Sequence, residues 1–168
     1  MPHPNVELIQ NFYAAFQQKD PKAMTACYHK DVIFSDPAFG NIKGDRAKAM
    51  WYMLIERGGN DLKIGYSDVQ ANDYNASAKW TATYLYGKEK RKVVNHVVGT
   101  FYIQNGKILQ HTDHFDLWRW SRQALGLKGL LLGHTKFMKL KIQQETSKSL
   151  SSYLRKMRSF EDEKNNVL

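Results

Sequence analysis

Cysteine is nearly missing from this chain: Cys27 stands alone among 168 residues. One thiol cannot close an internal disulfide or build a multi-cysteine metal site, and such usage fits a reducing cytoplasm. No apolar run approaches the roughly 20 residues that span a bilayer. The N-terminus, MPHPNVEL, has no basic region followed by an apolar stretch, so no signal peptide is read there. GxGxxG, P-loop and GxSxG patterns are missing, which leaves nucleotide cofactors and serine-hydrolase chemistry without local support. No HxxxH or two-histidine-one-carboxylate spacing stands out, so neither a metal nor another cofactor is expected. Internal repeats and low-complexity tracts are absent as well.

What remains is an ordinary globular composition, 42% hydrophobic and 24% charged, long enough for one domain with a real core. The net charge of +9 is unevenly placed. Residues 1–118 carry 14 Lys+Arg against 12 Asp+Glu, whereas residues 119–168 carry 11 against 4. A nearly neutral body with a basic tail argues against a domain-wide nucleic-acid surface and confines any anionic partner to the tail.

Asn5 can cap a first helix to about Lys19, with Leu8, Ile9, Phe12, Tyr13, Ala15 and Phe16 on one apolar face. Asp20-Pro21 reads as an N-cap followed by proline at the first position of a short second helix. A brief strand, Asp31 to Asp36, is stopped by Pro37 and Gly40. A third helix runs from Gly44 to Arg57 and ends at Gly58-Gly59-Asn60. Long strands follow at about 61–72, 76–87 and 91–104, separated by hairpin turns, of which Asn105-Gly106 is the strongest signal. The fourth strand of this meander is Lys107 to Trp120, KILQHTDHFDLWRW. Helical patterns then take over, the last from about Thr135 to Glu163 with Leu150, Tyr153, Leu154 and Met157 on one stripe; KNNVL reads as a frayed end. The order gives an α+β fold. Three N-terminal helices cover the concave face of a curved antiparallel sheet, leaving a cavity. Residues 1–126 form the domain and 127–168 a basic helical extension.

The fourth strand carries the chemistry. It holds Asp113, Asp116, His111 and His114 in an aromatic run free of Gly, Ser and Pro. Alternation puts His111, Asp113 and Phe115 on one face and His114 and Asp116 on the other. A carboxylate beside a phenyl ring implies either a polar pocket or an open edge. Asp116 is read as structural, facing out or binding Arg119 or Arg122. Asp36-Pro37 is either a plain turn or a pocket carboxylate whose pKa an apolar site would raise. His96, in the strand run VVNHVV, is either a hydrogen-bonded core histidine or a proton shuttle.

The stretch IQNFYAAFQQKDPKAMTACYHKDVIFSDPAFG resembles the N-terminus of ketosteroid isomerases, in the nuclear transport factor 2-like superfamily of cone-shaped α+β barrels. That superfamily includes scytalone dehydratase, SnoaL-type polyketide cyclases and limonene epoxide hydrolase. The resemblance implies a general base at Asp36. Asp113-x-x-Asp116 followed by Gln123-Ala-Leu-Gly126 is similar to the end of SnoaL-like domains, which implies an acid/base role for Asp113. It further implies a His/Asp set with His96, as in scytalone dehydratase, and catalysis without a metal. The hydroxyl donors of the isomerases fall on Phe12, which has none, and near Gly99; Tyr13 is adjacent but points elsewhere on the helix.

Two functions are therefore carried forward. One is a cofactor-independent isomerase, cyclase or dehydratase acting on a small hydrophobic molecule, with Asp36, Asp113 and His96 catalytic. Phe12, Phe16, Trp51, Trp80, Tyr102, His111 and Phe115 would line its site. The other is a non-catalytic binding module of the same fold. A homodimer through the outer sheet face is expected. The basic tail packs on the barrel, on a second subunit or weakly on an anionic membrane surface; nucleic acid is not expected.

Overall fold

The structure, a computed structural model, describes residues 1–165. Helix α1 (Pro4–Gln17) buries Ile9, Phe12, Tyr13 and Phe16 as its spacing predicts. Its cap is His3 rather than Asn5: Nδ1 of His3 accepts from the Asn5 amide. Asn5 is instead buried one turn in, donating to the carbonyls of Asn72 and Asp73 at 2.8 and 3.1 Å. Asp20 does cap α2 (Pro21–Ala26), accepting from the Ala23 amide at 2.9 Å.

Strands β1 (Tyr28–Asp36), β2 (Gly40–Lys43), β3 (Lys63–Ala71), β4 (Asn75–Tyr86), β5 (Arg91–Gln104) and β6 (Lys107–His114) make one curved, unclosed sheet. Its spatial order is β2-β1-β6-β5-β4-β3. Helix α3 (Asp45–Gly58) lies between β2 and β3 in sequence and joins α1 and α2 over the concave face. The meander β3 to β6 is antiparallel as expected, but β1 runs parallel to β6. A parallel neighbour needs a long crossover, and everything between β1 and β6 supplies it. Gly40, with φ +68°, turns the chain back into the short β2, a strand that the sequence pattern does not announce.

The strand expected to reach Trp120 stops at His114. Asp116 turns the chain, its carboxylate accepting from the Arg119 amide at 2.9 Å, and caps α4 (Leu117–Leu125). Helix α5 (Leu127–Leu132) and the 30-residue α6 (Lys136–Asn165) complete the chain. Helix α6 includes Lys164 and Asn165; the rest of the expected frayed end lies outside the described residues. Leu150 of α6 is fully buried against the core, with Tyr153, Leu154 and Met157 half-buried beside it.

Candidate active site

Register sets the site. Asn105 and Gly106 both have positive φ, forming the expected tight turn. Ile103 faces Ile108, but Tyr102 then faces Gln110, so Leu109 is one extra residue in β6. That bulge exchanges the faces beyond it. Gly99, Phe101, His111 and Asp113 therefore share the inner face, while Tyr102 and His114 turn outward.

Asp113 and His111 are only 3% and 0% exposed. Oδ1 of Asp113 lies 2.9 Å from Nε2 of His111 and accepts from Nε1 of Trp80 at 3.2 Å. Nδ1 of His111 lies 2.7 Å from the Tyr28 hydroxyl, which accepts from Nε1 of Trp51 at 2.8 Å. Indole N–H groups only donate, so one assignment satisfies every group. Trp51 donates to Tyr28, Tyr28 donates to Nδ1, and Nε2–H donates to Asp113. The relay locks one carboxylate oxygen, while Oδ2 makes no hydrogen bond among the described residues. Around the imidazole the core is solid: Trp51 stacks at 5.9 Å, and Phe101, Phe34 and Phe12 approach within 4.3 to 5.5 Å.

Asp36 ends β1. Its Oδ1 accepts from the amides of Ala38 and Phe39, at 2.9 and 2.5 Å, so the Asp-Pro turn and the inward carboxylate are the same structure. Burial, opposed by the Phe39 amide and reinforced by the charge on Asp113, pushes its pKa from 3.8 to about 7.

Both carboxylates line one partly open cavity of about 730 Å³, in the range of small-molecule sites. Phe16, Trp51, Trp80 and Phe115 line it. Phe12 and His111 lie beneath it, in the packed floor. Two candidates are misplaced. Tyr102 is exposed on the outer face. His96 is exposed there too, bonded to Thr81 at 3.0 Å, and does not meet Asp36 or Asp113. The run VVNHVV is apolar on both faces, so its parity gave no warning. Tyr13, expected to point elsewhere, is wholly buried; a methyl built on Gly99 would lie 2.7 Å from its hydroxyl and 3.2 Å from Oδ1 of Asp113. That hydroxyl is without a hydrogen-bond partner among the described residues.

Tyr84, which no sequence signal singles out, adds a polar group to the cavity wall. Its hydroxyl accepts from Nε1 of Trp120 at 2.7 Å and donates to no group among the described residues; burial pushes its pKa to about 12. Sequence reasoning missed α6 as a wall. Thr146 donates to the Ala38 carbonyl at 2.7 Å and Gln143 to that of Pro37 at 3.2 Å, which pins the Asp36 turn. The signal was available as hydroxyl and amide side chains on the face next to the Leu150 stripe. Among the described residues no three of His, Cys, Asp and Glu gather as a metal site.

The sequence profile of the SnoaL-like domain matches residues 9–111. The chain belongs to the SnoaL-like family. Solved structures agree. A candidate polyketide cyclase of Pseudomonas putida KT2440 is 27% identical, with a TM-score of 0.57 over 71% of this chain and 96% of that one. Bal32a, from a soil-derived mobile gene cassette, is 22% identical with a TM-score of 0.63, over 71% and 95%. TerC, crystallised with polyporic acid, is 17% identical with a TM-score of 0.58, over 68% and 92%. No protein with a curated description matches. No helix among the described residues is long and apolar enough to cross a membrane.

Proposed function

We propose that the protein is a cofactor-independent acid/base enzyme of the isomerase, cyclase or dehydratase kind, acting on a flat hydrophobic molecule that carries a carbonyl. Support comes from one observation above all: Asp113 offers a single free oxygen to a cavity it shares with Asp36, whose pKa is about 7. Oδ2 of Asp113 takes a proton from the carbon next to the carbonyl. Tyr84 and the protonated form of Asp36 donate to the carbonyl oxygen as charge develops there, in place of the donors missing at Phe12 and Gly99. Returning the proton to another carbon isomerises the substrate; passing it to a departing hydroxide releases water and dehydrates it; and attack of the enolate carbon on a second carbonyl, whose oxygen takes the proton, closes a ring. His111 holds Asp113 in position and exchanges no proton with substrate.

Residues 1–126 constitute the catalytic cone in this reading, and residues 127–168 an extension of which residues 128–149 complete its mouth. Two copies pair through the outer sheet face, where Val98 and Tyr102 are about 40% exposed. A free, buried thiol at Cys27 suits a reducing cytoplasm.

The test is exchange of solvent deuterium into carbons next to carbonyls, followed by mass spectrometry over a panel of aryl alkyl ketones that carry a hydrogen on that carbon. Asp113→Asn should lower exchange by about 10²- to 10⁴-fold while quenching of Trp51 and Trp80 fluorescence by the same compound persists. Quenching without exchange in the unmodified protein would leave the second reading, a non-catalytic binding module, which the bare positions Phe12 and Gly99 favour.

A further inference from the structure

The extension has a use beyond closing the cavity. Among the described residues, seven of the fourteen exposed large hydrophobic side chains fall between Trp118 and Leu140. Leu127, Leu130 and Leu131 share one face of α5 by their spacing, and Phe137 and Leu140 share one face of α6. Leu127 is 70% exposed, Phe137 69% and Leu131 61%, and only Gly133 to Thr135 separate the two helices. Residues 117–144 also contain six Lys and Arg and no Asp or Glu. Lys128 and Lys141 of this stretch line the cavity, together with Leu125, Met138 and Ile142. The basic apolar corner and the cavity mouth are therefore continuous.

Resting on the hydrophobic-ligand reading above, we infer that this corner docks on an anionic phospholipid surface and sets the cavity mouth against the bilayer from which the ligand enters. Exposed leucine and phenylalanine among lysines, on helices too short or too polar to span, is the pattern of segments lying in the headgroup plane. A second copy would oppose six cations with six more. Nucleic acid would use the cations and leave the leucines unused.

Co-sedimentation of the full chain with phosphatidylcholine vesicles, with and without phosphatidylglycerol, tests this. Binding is expected only with phosphatidylglycerol, weakening as salt is raised. Leu131→Gln with Phe137→Gln, and separately Lys136→Glu with Lys139→Glu, should each weaken it by roughly tenfold or more. None of the four residues lines the cavity, so ligand quenching in solution stays unchanged; circular dichroism melts confirm that the variants fold. No binding to either vesicle overturns the docking surface while leaving the ligand reading intact, as does self-association abolished by Leu131→Gln with Phe137→Gln without vesicle binding. Vesicle binding in a protein that quenches with no compound removes the ligand reading instead.

Discussion

At the residue scale the site depends on hydrogen bonds that occupy one oxygen of Asp113 and leave the other to the cavity. Tyr28 is the joint of the relay, accepting from Trp51 and donating to His111. Tyr28→Phe orphans both partners in a solid core, so a loss of about 2–5 kcal/mol is expected, read as a lower urea midpoint with an unchanged slope. Asp36 gives a pH signature of definite sign. Its folded pKa, about 7, lies above its ordinary 3.8. The folded state thus holds the proton more tightly, and this contribution is full below about pH 4 and lost as pH rises through about 7. Stability should fall between these values by on the order of 2 kcal/mol, discounted for partial exposure. Asp36→Asn keeps the turn's acceptor and removes this dependence; a wild-type melting profile flat across that window would contradict the assignment. Both acids were legible in the sequence because one ends a strand at proline and the other lies mid-strand among aromatics. His96 and Tyr102 were misread because their face depends on Leu109. An uninterrupted two-residue turn would have put Val98 opposite Asp113, and with it His96 and Tyr102 on the inner face; the bulge puts Gly99 there instead.

At the scale of elements, periodicity located the helices and the meander but not how they join. Alternation in β4 and the stripe on α1 each follow from burial of one face, so sequence pattern reports them directly. The end of β6, the short β2 and the parallel β1–β6 pair depend on Asp116 capping, on Gly40 and on a partner remote in sequence, which no local window contains. Helix α6 is the informative case. Its Leu150 stripe announced packing, yet the same helix also holds the Asp36 turn, through Thr146 and Gln143. Thr146→Val keeps the volume and removes the donor. It should leave global stability within about 1–2 kcal/mol but broaden or shift the Asp36 carboxyl resonance in NMR titration. An unmoved Asp36 titration would mean that the turn is self-supporting through its own amides.

At the scale of the molecule, the cavity belongs to no single element. Phe16 of α1, Leu54 of α3, Trp80 of β4, Asp113 of β6 and Ile142 of α6 all line it, so a bound ligand touches the cone and the extension at once. Binding only the folded form at about 100 times its Kd adds about 2.7 kcal/mol, and where that stabilisation is felt is diagnostic. Amide exchange should slow in α3, β4 and in α6 as far as Leu150, the last fully buried residue of that helix. Beyond it α6 keeps mostly exposed side chains and touches no ligand, so residues 155–165 should exchange at the same rate with and without ligand. Slowing confined to the sheet and α1–α3 would show that α6 merely packs on the outside and that the mouth is built by the cone alone. Slowing that reaches α6 makes the C-terminal helix part of the binding site, so truncation before it should cost affinity even where the cone still folds.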